Sequence, residues 1–486
     1  MTPIRAATVR ASPLTHDITL LGDDILVDSN AAGRSLTVAA LTFMPHNRGP
    51  VPQLRYSWGM SHRTWALVLA IAGASAAAAQ SVTPAANIEA FEKVWSTIRD
   101  KHWDPKLGGV DWQFVHDELR PKVEAAKTEG AVREILNDMV GRLKQTHFGI
   151  FPGDVYRDLD ATGAHDSGDA DIGIEVRIID GRALVTEVYP ASPAAAKGIK
   201  PGWEIVRIGD REVAPVLTRI RKQFADSSLL DLRLSRAVLT RLQGSEGSAV
   251  SVELLDGADR KVALDLERAA PRGKLARLGN LPPTPTWSEW RRLPQDIGYI
   301  RFNIFLDPDG LAKTMEEAMK GCRDCRGFVL DLRGNPGGIG GLAMGVAGWF
   351  TDQSGLQLGT VYLRGMTLKF VIFPRPQPFL GPLAVLVDGC SASTSEILAG
   401  GLKDIGRARL FGTRTAAAAL PSVIDRLPNG DGFQYAIANY ISQGGKPLEG
   451  IGAIPDQEVR LTREQLLQGK DPALNAATAW IQEQKK

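Results

Sequence analysis

No apolar run in the 486-residue chain reaches the roughly eighteen residues that mark a membrane-spanning helix. A formal net charge of only +2 gives no basic surface for nucleic acid or acidic lipid. Cysteine is scarce: three residues, Cys322, Cys325 and Cys390. The Cys322–Cys325 spacing lacks the second ligand pair that a structural zinc site needs. An odd count leaves one thiol over if the other two are bridged, so all three are read as structural. Histidine is scarce as well, with only His102, His116, His147 and His165 downstream of residue 80. Any imidazole chemistry must draw on these four. No metal or organic cofactor is implied.

Residues 60–79, MSHRTWALVLAIAGASAAAA, combine a positive start (His62, Arg63), a short apolar run (65–72) and a small-residue site ending at Ala79. That is the layout of a secretory signal, and it predicts a periplasmic or secreted protein beginning near Gln80. A signal belongs at a start, so Met60 is expected to be the biological start. Residues 1–59, which show no sustained periodicity, are then expected to be a start-site error.

The remaining chain is too long for one domain. Residues 80–160 read as a helical region. Phe91, Val94, Trp95 and Ile98 step by three and four, as do Val132, Ile135, Leu136, Met139, Val140 and Leu143. A linker rich in Asp, Gly and Ala follows (154–170). Residues 171–268 change to short β-rich runs with one Ala-rich helix at 193–197. The stretch from Ile172 to Val213 resembles a PDZ domain. That resemblance implies a loop, Asp171, Ile172 and Gly173, whose N–H groups receive a peptide's terminal carboxylate while the peptide adds as a strand. A Pro-rich linker (269–293) precedes a core at 294–486. Its strands at 297–302, 327–333 and 383–388 are continuously apolar, as in a buried sheet. The fold class is multidomain α+β: a helical cap, a PDZ-like β domain and an α/β core.

Two motifs carry chemistry. In VDGCSASTSEILAGGLKD (387–404) an apolar strand ends, a small-residue turn follows and a helix begins. A serine there is exposed near helix N-terminal amides that favour an anion, which acyl transfer requires. Ser393 with Glu396 is also a capping box, and Ser391 and Ser395 are rival nucleophiles. The second motif, LDLRGNPGGIGG (330–341), is again a strand and a glycine turn that aims N–H groups. Its Gly338-x-Gly340-x-x-Ala343 fits a relaxed dinucleotide pattern, a weak match alone.

In order, GYIRFNIF, DLRGNPGG, SASTSEILAGGLKD and PLEGIGAIPD resemble the tail-specific (C-terminal-processing) serine proteases of family S41. The start, FEKVWSTIRDKHWDP, and the LKQTH element look like that family too. The resemblance implies a crotonase-like ββα core and Ser393 as nucleophile. It implies an oxyanion hole of Thr394 with Gly337 or Gly338. Many relatives use a lysine 25 positions after the serine; here that position is Ala418. Asp404, which flanks that dyad, then only ends a helix. The GTRT strand (412–415) resembles the tricorn-core branch instead. Its histidine maps to His147, and its glutamate maps to Glu449, acting through the Thr146 hydroxyl, where Thr replaces the family's Ser. Ala416–Ala419 stand where relatives often carry glycines.

The expected function is a serine-type peptidase that cleaves exported proteins or peptides through an acyl-enzyme, with PDZ-assisted recognition of C-terminal tails. Two other classes are an inactive relative that binds apolar ligands and a PDZ adaptor with a structural core. Ser393, His147 and Glu449 together argue against both.

Overall fold

The computed structural model describes Asp17–Ile18 and residues 84–153, 170–225, 227–277 and 283–484. The expected signal at 60–79, nearly all of 1–59 and nearly all of the 154–170 linker lie outside the described residues.

Three helices open the described chain: α1 (Pro84–Lys101), α2 (Trp112–Ala125) and α3 (Glu129–Gly141). Asp111 and Thr128 cap the second and third by accepting from Phe114 N and Ala131 N. Phe91, Val94 and Ile98 meet Leu119, Val132, Leu136 and Met139 in one buried core. That core also takes in Phe433 and Tyr435 from far along the chain. The link is β1 (Gly149–Phe151), which pairs antiparallel with β15 (Gly432–Ala436). In turn β15 pairs with β14 (Ser422–Arg426). Arg133 clamps the hairpin through Asp431, whose Oδ1 also accepts from Gly153 N at 2.8 Å. The helical layer is therefore welded to the C-terminal half, and the turn between α3 and β1 is held at that seam.

A second sheet runs in the order β2 (Ile174–Ile179), β3 (Arg182–Val188), β4 (Glu204–Ile208), β5 (Ala249–Leu255), β6 (Lys261–Glu267). It has its own core around Val176, Val185, Ile205, Val252 and Leu254. Besides the short helix α4 (Pro193–Ala196), this region holds two that the β-rich reading missed: α5 (Val213–Gln223) and α6 (Leu230–Leu242). Their apolar residues step at helical spacing. Leu217, Leu234, Val238 and Leu242 bury on the sheet, burial worth about 1.5–3 kcal/mol for each large side chain.

The third sheet is the scaffold of the site. Strands β8 (Ile297–Phe302), β9 (Gly327–Asp331), β12 (Leu383–Val387) and β13 (Arg409–Gly412) run parallel. Every residue of β9 and β12 is buried. One face packs under α7 (Pro308–Gly321), α8 (Gly341–Ala347) and α9 (Thr394–Asp404). The other receives Ala473, Ala477 and Ile481 of α11 (Pro472–Glu483), which follows the short α10 (Arg463–Leu467). A sheet covered on both faces explains the continuously apolar strands. The expected 269–293 linker is not structureless. Residues 274–276 and 284–286 form a small hairpin, and β7 (Ser288–Leu293) is the antiparallel edge of this sheet. Its SEWRRL sequence hides the strand, because an edge tolerates charge on its open side. A smaller sheet joins β10 (Gln357–Leu363), β11 (Met366–Val371) and β16 (Ala438–Ser442), and Asp17–Ile18 lies parallel to β11. Cys322 and Cys325 form a disulfide at the end of α7, and Cys390 is a buried free thiol. Among the described residues no helix is long and apolar enough to cross a membrane.

Candidate active site

Three turns leave the carboxyl ends of β9, β12 and β13 and meet, as ligand-binding turns of open parallel sheets do. The first is DLRGNPGG. Asp331 is buried and bonded by Arg333, which also pairs with Asp471 at 2.7 Å. Burial works to raise the Asp331 pKa, but Arg333 and Arg301 outweigh it and hold the carboxyl well below the usual range. Asn335, also buried, is the joint between the first two turns. Its Oδ1 accepts from Gly337 N at 3.0 Å and its Nδ2 donates to Phe302 O. Its carbonyl accepts from Ala392 N and Ser395 Oγ.

The second turn ends in Ser393, whose φ of 55° and ψ of −117° are unusual for a residue with a side chain. The three rival serines now separate. Ser391 and Ser395 are fully buried, and their hydroxyls donate to Leu332 O (2.8 Å) and Asn335 O (2.9 Å). Ser393 alone is partly exposed. Beside it lies Gly337: a Cβ there would sit 2.7 Å from Ser393 Cβ and 2.9 Å from Thr394 N. Gly337, at φ 101°, must be glycine for this approach. Of the expected oxyanion donors, Gly337 N–H is not available, because Asn335 Oδ1 holds it. The N–H groups of Gly338 and Thr394 have no acceptor among the described residues. The dinucleotide-like Gly338–Ala343 pattern is instead a turn pinned to Phe305, with Ile339 N donating to Phe305 O at 2.8 Å.

The third turn carries Ala416–Ala419, all buried. It is stitched to the second by Glu396, which does more than cap α9. Glu396 Oε1 accepts from Thr415 Oγ1 (2.5 Å) and Ala417 N (2.8 Å); Oε2 accepts from Ala418 N (2.9 Å) and Ser393 N (2.9 Å). Burial pushes its pKa up to about 7 against those four bonds. Ala418 O accepts from Ser393 N at 2.8 Å. The position that could carry a lysine is thus a small buried residue against the nucleophile. Lys403 is tied to Asp456 at 2.9 Å, Lys446 is exposed, and Asp404 accepts from Gly444 N at 2.8 Å.

The same third turn reaches the helical layer. Glu449 Oε2 accepts from Ala419 N (3.1 Å) and Thr146 Oγ1 (2.9 Å), and Oε1 accepts from Thr146 N (2.8 Å). Thr146 Oγ1 lies 2.8 Å from His147 Nδ1. A hydroxyl has one proton. Here it goes to the carboxylate, so Oγ1 accepts from Nδ1–H and the His147 Nε2 lone pair is left open. Burial lowers the His147 pKa to about 4, and burial raises that of Glu449 despite the Thr146 bonds. Thr146, His147 and Glu449 come together from segments 303 residues apart. The other histidines go elsewhere: His116 pairs with Glu92 and Asp117, His102 is buried, and His165 lies outside the described residues.

In the β domain, the Asp171–Gly173 loop is only partly open. Gly173 N donates to Asp171 Oδ1 at 2.7 Å and Asp171 N donates to Ala269 O. Ile172 N–H has no acceptor among the described residues, and β2 is a sheet edge.

A partly exposed serine in a strained strand-to-helix turn, with the open amides of Gly338 and Thr394 close by, suits a serine-type hydrolase. Residues 296–459 match the model of peptidase family S41 and residues 84–141 that of the Tricorn protease C1 domain. The carboxyl-terminal-processing peptidase 3 of Arabidopsis thaliana, a chloroplastic protein, is 26% identical over 372 residues, covering 75% of this chain and 67% of that protein. A carboxyl-terminal-processing protease of Picosynechococcus is 26% identical over 374 residues, covering 76% and 82%. The solved photosystem II D1 C-terminal processing protease superposes with a TM-score of 0.51 at 22% identity, over 80% of this chain and 98% of that one, a likeness of fold. The protein is a serine-type peptidase.

Proposed function

We propose that the chain cleaves the C-terminal tails of proteins or peptides with Ser393 as nucleophile and His147 as base, along the tricorn-core branch rather than by a Ser–Lys dyad. One observation carries this reading: Ser393 N donates to Ala418 O, and the next amide, Ala419 N, donates to Glu449, the carboxylate that accepts from Thr146 beside His147, so nucleophile and base are tied to one stretch whose side chains are alanine. His147 Nε2 takes the Ser393 proton as Oγ attacks the scissile carbonyl, and the tetrahedral oxyanion is received by Gly338 and Thr394 N–H. Glu449, through Thr146, steadies the imidazolium, which then protonates the leaving amine. Water enters, His147 deprotonates it, and the acyl-enzyme is hydrolysed.

Labelling of Ser393 by a fluorophosphonate tests this reading. The rate should hold from neutral pH down to about 5 and fall as pH drops through about 4, the His147 value. That is well below an ordinary histidine, near ~6.5. Label on Ser391 or Ser395, or a rate governed by a group titrating near 10, would refute it.

The division into a helical region (80–160), a PDZ-like domain (171–268) and a crotonase-like core (294–486) is proposed on their separate hydrophobic cores, and export to the periplasm or beyond on the signal-like sequence at 60–79. With β2 as a free edge, a peptide can add as a strand and place its carboxylate at Ile172 N–H. Peptides with free C-termini should then be cleaved with a lower KM than their amides. Equal KM values would leave the β domain as a spacer.

A further inference from the structure

The turn that carries the base is strained and needs support. Lys144 and His147 both sit at positive φ, 52° and 61°. A left-handed residue with a side chain costs about 1–2 kcal/mol and persists only where its surroundings over-determine it. Glu449 holds Thr146 from one side. What holds the rest comes from α1.

His102, the residue after α1, is 1% exposed. Its Nδ1 lies 3.0 Å from Asp104 N and 2.9 Å from Asp104 O, so the Asp104 backbone holds that edge of the ring. Nε2 lies 3.1 Å from Gln145 Oε1, and since an amide oxygen only accepts, this bond is made by Nε2–H. The ring also stacks on Phe148, with centroids 5.7 Å apart at 18°, and on Trp103 at 5.5 Å and 25°. Its own loop is rigid, since the Asp104 carboxylate accepts from Lys106 N and Gly108 N. One imidazole thus grips Gln145 and Phe148, the residues on either side of Thr146–His147.

We propose that His102 is a positioning residue for the base: through Gln145 and Phe148 it holds the strained Thr146–His147 turn so that His147 Nε2 meets Ser393. This rests on the Ser393–His147 reading above. Misplacing a reacting group by about 1 Å costs on the order of 10²-fold. The test compares Gln145→Leu, Gln145→Glu, His102→Phe and the His102→Phe/Gln145→Leu pair, with His147→Ala alongside. The readouts are kcat, KM, fluorophosphonate labelling rate and melting temperature. Gln145→Leu removes only the acceptor at a half-buried site. It should lower kcat and labelling together by about ten- to a hundredfold, leaving KM and melting temperature unchanged. Gln145→Glu keeps an acceptor and should restore kcat. His102→Phe keeps the stacking, loses the bond and should match Gln145→Leu, with the pair no worse than either alone. A folded Gln145→Leu enzyme with wild-type kcat overturns the proposal, whether or not His102→Phe folds. If His147→Ala is inactive in that case, the base reading stands without it. If His147→Ala is itself active, both fall.

Discussion

His147→Ala is expected to lower peptide cleavage as far as Ser393→Ala does, on the order of 10³-fold or more, because nucleophile and base act as one unit. Chemical composition leaves no substitute. The residue 25 positions after Ser393 is Ala418, and its buried side chain accepts no proton. Lys403 already donates to Ile454 O at 2.8 Å and pairs with Asp456, while Lys446 points to solvent. Lys403→Ala and Lys446→Ala should therefore stay within about threefold of the parent enzyme, as surface charges usually do. Glu449→Gln should fall between. An amide can still accept from Thr146, but it no longer offsets the positive imidazole in the transition state. Steady-state cleavage of a peptide series measures all of these. Near-normal turnover in His147→Ala would force the base to be sought elsewhere.

Glu396→Gln is expected to be nearly as damaging, and for a different reason. Four donors converge on this carboxylate, two on each oxygen. A glutamine must turn its NH₂ toward one pair. In one orientation it faces Ser393 N and Ala418 N; in the other it faces Thr415 Oγ1 and Ala417 N. Ser393 N keeps Ala418 O and the Thr415 hydroxyl can accept from the NH₂, so either orientation leaves one buried donor, Ala418 N or Ala417 N, without an acceptor, a loss of about 1–3 kcal/mol. Activity should fall on the order of 10²-fold as the nucleophile turn slips against the 415–418 turn. The pH signature is specific. Burial raises the Glu396 pKa from an ordinary 4.5 to about 7. Its contribution to stability is therefore fullest below the unfolded value and falls away as pH rises through about 7. Denaturant titrations across pH should show that slope in the parent and not in Glu396→Gln. An unchanged slope would mean that Glu396 titrates elsewhere.

Much of this architecture was legible along the chain. The largely apolar strands 297–302, 327–331 and 383–387 pointed to a covered sheet, and the spacing of Phe91, Val94 and Ile98 pointed to one face of a helix. The helices at 213–223 and 230–242 were hidden among β-rich runs, and the strand at 288–293 was hidden by its charges. Local pattern reports which side is buried, not which neighbour buries it. Glu396 read as a helix cap because its cap role is local. Its bonds to Thr415, Ala417 and Ala418 span 19 to 22 residues and have no periodic trace. His102 carries no local sign of its role for the same reason, since its partner Gln145 lies 43 positions away.

By itself the sequence determined the order of the segments, the two strand–turn–helix junctions and the absence of a lysine at position 418. These depend on residue type and spacing along one stretch of chain. Only the tertiary structure decided which of Ser391, Ser393 and Ser395 meets solvent. It also decided that the Gly337 amide is taken while those of Gly338 and Thr394 are open, and that Thr146, His147 and Glu449 share one hydrogen-bonded line. Exposure and amide saturation are set by which distant backbone arrives alongside. Here that backbone is Asn335 for the serines and the glycine turn, and the 415–419 turn for the relay.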